Sequence, residues 1–424
     1  MYLTTEEEKI YNGEYGETLE MCMNLIVSLG DIYGAEKLID VTSAQVSGVS
    51  YKTIGEKGLE FLRDMSDSGL KVSVPTTLNP AGMDLIDYKN IGFPEDFAKK
   101  QLEIIDYFEK MGIELGCTCT PYLSGNVPRF RDHISWAESS AVCYSNSVLG
   151  AYTNREGGPS ALASAILGKT SYYGYHLDEN RIPNFKVNLD LDFEKIGLKC
   201  DNKINNMASY GLIGRYVGRI VKNGIPYFNF SNGQKNDGLN IKSECLKGLG
   251  AALAASGGVA LYHFNGITPE AICTYDNEFN KGNLKFDDEI TITNEMIEEE
   301  LSKFNNDQKI DLICIGCPHS GISEIKTIVD ILLEEKKPLK TDLWVCTSIY
   351  TKAIADRMGY TKIIEDAGGK IVVDTCMVVA PIEKMGYKYV ATNSGKAATY
   401  LPNFCSSEVI YGSIEELIRK GLNQ

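Results

Sequence analysis

Apolar positions along the chain recur with two periods, one helical and one extended, and their alternation predicts the fold. Near the N-terminus Thr5 and Glu8 have the spacing of a helix cap, acidic residues crowd the positive first turn, and Leu19, Met23, Ile26 and Val27 carry an apolar stripe on to Gly30. A short strand over 38–41 follows, then a small-residue loop around Ser47-Gly48, a helix over 55–68 and a strand over 71–75. The turn Thr77-Leu78-Asn79-Pro80-Ala81-Gly82 leads to a helix over 94–111 and a strand over 113–119. Small residues over 136–150 predict a helix packed closely against a neighbour. Gly157-Gly158-Pro159-Ser160 before a helix over 161–167 reads either as an anion cradle or as a tight connection.

Residues 178–240 are richer in Asn, Asp, Lys and Gly, with poor periodicity until 212–221, so irregular structure or a smaller excursion is expected there. A helix over 243–255 ends at Gly257-Gly258, 259–263 reads as a strand, and the acidic stretch 277–288 is the best linker. A strand over 289–293 and a helix capped by Asn294 come next. Beyond them the pattern is cleanest, with strands over 310–316, 343–347, 370–373 and 389–392 and helices over 323–335, 352–358 and 414–420. Apolar strands alternating with amphipathic helices predict an α/β fold with parallel sheets, doubly wound in its C-terminal part. The expected division is an α/β region over 1–285, in two subdomains with the excursion near 178–240, and a C-terminal α/β domain over 286–424.

Composition narrows the function. The 424 residues suit two to three domains, and 43% hydrophobic with 23% charged side chains is a globular balance. A net charge of −15 repels phosphate backbones and anionic headgroups, so neither nucleic acid nor membrane is an expected partner. The N-terminus has no basic and apolar leader pattern and no run approaches the roughly 18 apolar residues of a span, so a cytoplasmic protein is expected. Its twelve cysteines lack the density and spacing of a disulfide scaffold.

In doubly wound sheets ligands gather beyond the carboxyl ends of strands. That filter selects Cys317 in Gly316-Cys317-Pro318-His319, Cys376 after Val372-Val373-Asp374-Thr375, and either Cys117 or Cys119 before Thr120-Pro121-Tyr122. Three thiolates from distant segments can hold one iron–sulfur cluster and leave one iron open to a substrate oxygen, the arrangement that dehydration of a hydroxy acid needs. Buried thiols are the plain alternative, and it is the reading adopted for Cys314 and Cys346, which lie inside strands. Cys314 and Cys317 are spaced for zinc or redox chemistry, but a second such knuckle is missing. The four histidines are scattered and no Gly-x-Ser-x-Gly elbow occurs, which argues against a hydrolase; His319 alone is placed near chemistry.

At these residues the chain resembles the large subunit of the aconitase X family over nearly its whole length. The matching motifs are Ser47-Gly48-Val49-Ser50-Tyr51, Thr76 to Gly82, Cys119 to Tyr122, Trp136 to Ala141, Thr153 to Ser160, Gly316 to His319 and Asn393 to Lys396. The resemblance implies an aconitase-like architecture of several domains, with parallel and mixed sheets flanked by helices. It implies a hydro-lyase that dehydrates (R)-mevalonate 5-phosphate to trans-anhydromevalonate 5-phosphate in a mevalonate route to isoprenoids. A [4Fe-4S] cluster with one iron free of protein is implied on Cys119, Cys317 and Cys376. Substrate contacts are implied at Gly48, Val49, Ser50, Asn79, Pro80, Glu138, Ser139, Ser394, Gly395 and Lys396, with Glu138, Ser139 and Lys396 catalytic. Glu138 could equally be a helix-start carboxylate and Lys396 a solvated amine. The general base of the superfamily is a serine on a swivelling domain; no such domain is read in this chain, so it is expected on a separate small subunit. Dehydration of cis-3-hydroxy-L-proline is the alternative activity within the family, and a non-catalytic iron–sulfur scaffold or sensor the alternative outside it.

Overall fold

In the computed structural model, which describes residues 1–198, 206–231, 241–304 and 308–424, short strands form where β-branched and apolar residues run between turn signals. The first are β1 (Leu38–Asp40), β2 (Ala44–Val46), β3 (Thr76–Leu78), β4 (Ser135–Trp136) and β5 (Lys169–Ser171). β1 pairs antiparallel with β5, while β3-β2-β4 is a parallel sheet. Helix Glu17–Tyr33 packs on Gly158–Leu167, and Tyr51–Asp67 on Glu95–Lys110, enclosing one apolar core around Met23, Leu59 and Phe108.

A second sheet has the order β8-β7-β6-β9, with β6 (Phe185–Asp190), β7 (Pro226–Phe230), β8 (His263–Phe264) and β9 (Asp288–Thr293) all parallel. Helices Met207–Val221 and Ser243–Gly257 cross at glycines: a Cβ on Gly257 would lie 2.0 Å from the Gly218 carbonyl oxygen. Only a residue without a side chain permits that approach.

The third sheet, order β12-β11-β10-β13-β14, contains β10 (Leu312–Ile315), β11 (Asp342–Thr347), β12 (Lys370–Val373), β13 (Tyr389–Thr392) and β14 (Glu408–Tyr411), again all parallel. Chain order reverses between β10 and β13, which opens a crevice beyond their carboxyl ends. Ile313, Ile325, Val329 and Leu417 fill one face of this sheet; Cys314, Trp344 and Val390 on the other merge with the core of the second sheet.

Several expectations shift. The capping box is Thr4 with Glu7, one residue earlier than read. The strand expected over 71–75 forms at β3, and 113–119 runs beside β3 through Glu114 and Thr118 N–H groups without becoming a strand. Within 178–240, where irregular structure was expected, lie β6, β7 and helix Met207–Val221, with residues 199–205 and 232–240 outside those described. Their pattern was hidden because β6 interleaves Lys186, Asn188 and Asp190 with its apolar residues and β7 is largely aromatic. The linker candidate 277–288 overlaps helix Asp276–Asn280. Helix Gly395–Phe404, with Pro402 inside it, was not read at all.

Candidate functional site

The crevice is built by the connecting loops that follow β10, β12 and β13, the turns after β3 and β4, and the stretch beside β3 that ends at Thr120. Gly316 ends β10 at φ +110°, and a Cβ there would meet the Cys346 carbonyl oxygen at 2.1 Å, so the chain can turn into the cis Cys317–Pro318 bond only through glycine.

Cys119, Cys317 and Cys376 converge here, all buried. The Cys317 and Cys376 thiols are close enough to perturb each other's ionisation strongly, and Cys119 lies within electrostatic reach of both. The His319 backbone N–H donates to Cys119 Sγ at 3.2 Å. The neighbouring Cys317 thiol brings the Cys376 thiol below its ordinary value against the opposing effect of burial, aided by the Val378 and Val379 N–H groups and Lys396. Cys117 packs instead beside Asp374 and Ala81. Cys314 and Cys346 sit in the sheet, their sulfurs 3.7 Å apart. Among the described residues no group of three or more His, Cys, Asp or Glu side chains is gathered around a position for a single metal ion.

Beside the thiols lies a buried ion pair, Glu138 with Lys396. Glu138 caps helix Ser139–Tyr144, accepting the Ser140 N–H at 3.2 Å, and Lys396 stands in the first turn of helix Gly395–Phe404. Glu138 is therefore both the helix-start carboxylate and half of an ion pair, and Lys396 is not a solvated amine. Glu138 also accepts Asn79 Nδ2 at 2.8 Å, Ser140 Oγ at 3.0 Å and Ser139 Oγ at 3.3 Å. Burial alone would raise its pKa, but the Lys396 ammonium and these donors hold it down at about 2. Burial disfavours the Lys396 cation, yet Glu138, Cys317 and Cys119 push its pKa above the ordinary lysine value. Lys396 has three N–H donors and two partners here, Glu138 and Ser140 Oγ at 3.2 Å.

The remaining predicted residues lie around this pair to different degrees. Gly48, at φ +81°, turns the chain after β2, and Val49 offers its carbonyl to Gln101. The Ser50 hydroxyl is committed to the Val379 carbonyl at 2.9 Å, tying this loop to the one that carries Cys376. Asn79 and Pro80 follow β3; the buried Asn79 Oδ1 has no partner, and neither has Asn393 Oδ1 at the end of β13. Ser394 caps its helix through the Ala397 N–H, and a Cβ on Gly395 would meet Gly211 O at 2.5 Å. The Gly157–Ser160 turn is no open cradle: Gly157 N–H already donates to Ser160 Oγ, and Gly158 presses on the Ser47 carbonyl. Ser140 was missed, although it stands in the same Trp136–Ala141 motif as Glu138. Asn393 was likewise passed over, although it opens the Asn393–Lys396 motif.

Three models of the aconitase X family match the chain, the first domain over residues 1–179, the second over 183–302 and the third over 310–423. The phosphomevalonate dehydratase large subunit of Methanocaldococcus jannaschii is 60% identical over 420 residues, covering 99% of this chain and 100% of that protein. The cis-3-hydroxy-L-proline dehydratase of Pseudomonas aeruginosa is 28% identical over 415 residues, with 96% of this chain and 68% of that protein covered. The crystal structure of Thermococcus kodakaraensis aconitase X in its holo-form superposes with a TM-score of 0.87 at 45% identity, covering 99% of this chain and 100% of that one.

Proposed function

Because this chain belongs to the aconitase X family, we propose that it is the large subunit of a hydro-lyase that removes water from (R)-mevalonate 5-phosphate to give trans-anhydromevalonate 5-phosphate. The observation that carries this reading is the convergence of Cys119, Cys317 and Cys376 on the buried Glu138–Lys396 pair, in a chain 60% identical to a protein named for that activity.

The donor set fits an iron–sulfur cluster. Three buried thiols lie within electrostatic reach of one another and of Lys396, and the orphaned Asn79 Oδ1 belongs to a side chain that bonds Glu138. Cys119, Cys317 and Cys376 would hold the cluster. With one iron free of protein, the cluster would act as a Lewis acid and make hydroxide a tolerable leaving group.

The chain's own residues bind and orient. Lys396, kept protonated by Glu138, offers its unassigned N–H to a substrate anion. Asn79 presents an acceptor oxygen to a substrate hydroxyl, which relieves an unpartnered buried atom. Glu138 holds Lys396 and Asn79 in place, so its role is to fix the two groups that meet substrate. The base that removes the neighbouring proton is assigned to a serine of a small subunit, in keeping with the "large subunit" name of the relatives.

The test is anaerobic reconstitution with the small subunit, followed by separate incubation with (R)-mevalonate 5-phosphate and cis-3-hydroxy-L-proline and analysis of the products by mass spectrometry. Dehydration of the phosphate ester by the pair, and by neither chain alone, is expected. Turnover of the amino acid in its place would overturn the substrate assignment, and full activity of the large chain alone would overturn the shared site.

A further inference from the structure

His319 stands two residues beyond Cys317, and its hydrogen bonds reach both other thiol-bearing loops. Its Nδ1 lies 2.9 Å from Thr118 Oγ1, the residue before Cys119. Its Nε2 lies 2.9 Å from the carbonyl oxygen of Thr375, the residue before Cys376. A carbonyl can only accept, so Nε2 carries the proton and Nδ1 accepts from the Thr118 hydroxyl. The His319 backbone N–H completes the set by donating to Cys119 Sγ. Thr118 is itself fixed, its hydroxyl accepting the Thr120 N–H at 3.1 Å and its carbonyl accepting Gln45 Nε2 at 2.9 Å. On the other side the His319 carbonyl accepts Lys247 Nζ at 3.0 Å, and Lys247 is paired with the buried Glu324 at 2.5 Å.

We propose that His319 is a positioning residue for the thiol trio: one imidazole and its own peptide unit tie the loops of Cys119, Cys317 and Cys376 into a single frame. This rests on the reading that the trio holds a cluster. Both ring nitrogens are taken by Thr118 and Thr375, so the imidazole acts on the thiols through these two residues. Partners of this kind, one bond removed from the ligands, set ligand orientation and affect metal retention by roughly 10- to 100-fold.

The test uses the full chain purified without oxygen, with three substitutions. His319→Gln keeps one acceptor and one donor on the side chain, His319→Phe keeps the ring volume and removes both, and Thr118→Val removes the donor into Nδ1. Iron and acid-labile sulfide per chain, the rate of iron release to a chelator and the electron paramagnetic resonance spectrum of the reduced protein are recorded, with thermal unfolding to establish that each variant is folded. His319→Phe is expected to release iron roughly 10- to 100-fold faster than the unsubstituted chain, with a shifted resonance spectrum. His319→Gln is expected to restore most of the retention, and Thr118→Val to fall between them.

A folded His319→Phe that releases iron at the unsubstituted rate would overturn the proposal. So would equal loss of iron from the Gln and Phe variants, since packing rather than hydrogen bonding would then be at work. If the unsubstituted chain binds no iron and sulfide, the cluster reading beneath the proposal fails instead, and the two failures are distinguishable in one experiment.

Discussion

Two buried ion pairs in this molecule differ in how their charges are held. In one, Arg181 uses all five donors: Nε and one Nη2 proton on Glu270, Nη1 on Asn146 Oδ1 and the Tyr175 carbonyl, and the second Nη2 proton on the Asn146 carbonyl. Its guanidinium also stacks on Tyr152, 3.9 Å from the ring centroid. Glu270 depends on Arg181 alone for side-chain hydrogen bonds among the described residues. In the other, Glu138 has donors from Asn79, Ser139 and Ser140 besides Lys396, and the neighbouring acceptor Asn79 Oδ1 is left open. A structural pair is closed on itself. A site carboxylate is held redundantly, with bonding capacity spare around it.

The largest effect that could break this comparison is on stability. Arg181→Met leaves Glu270 buried and unpaired and is expected to cost about 3–5 kcal/mol in urea unfolding, part of which Arg181→Met with Glu270→Gln recovers. An equal cost for Lys396→Met would erase the distinction, because Glu138 keeps its other donors there. For Lys396→Met the expected loss is instead in turnover by the reconstituted pair, about 10²- to 10³-fold in kcat, the range for removing one preorganised charge donor.

Gly395→Ala sharpens the same point at closer range. Its new methyl would press on the Gly211 carbonyl at 2.5 Å and on Ala252 at 2.9 Å, costing about 1–3 kcal/mol and displacing Lys396, so kcat should fall together with the melting temperature. The smallest effect is in pH. Burial depresses His176 and His263, both beside Arg181, to about 3, below the unfolded value of about 6.5. The unfolded chain thus binds more protons below pH 6.5, and stability falls as pH drops from there toward 3. Between pH 6.5 and 5.5 each imidazole should cost about 1 kcal/mol, and His263→Gln should flatten that slope by its own share.

The C-terminal sheet was legible in the sequence because its strands are unbroken apolar runs; four of the five lie where the pattern put them, and β14 was overlooked. In the second sheet β9 lies where the pattern put it and β8 begins at the end of the expected 259–263 strand, but β6 and β7 did not show, because a strand such as β6 alternates polar and apolar residues and looks like irregular chain when read alone. The same contrast holds at the site. Cys317 and Cys376 could be found because each ends a recognisable strand, and Glu138 and Lys396 through their motifs. Single-chain periodicity carries no trace of the contact between Thr118 and His319, two hundred residues apart in sequence, nor of the choice between Cys117 and Cys119, which depends on what the folded loops face.

Whether Cys119, Cys317 and Cys376 hold a cluster is measured most directly by the iron and acid-labile sulfide content of anaerobically purified protein carrying single Cys→Ser substitutions. Loss of iron and sulfide from the Cys119, Cys317 and Cys376 variants is expected, with full retention when Cys117, Cys314 or Cys346 is replaced. Retention by all three of the first group, or losses spread evenly over both groups, would show that these three cysteines are not the ligands.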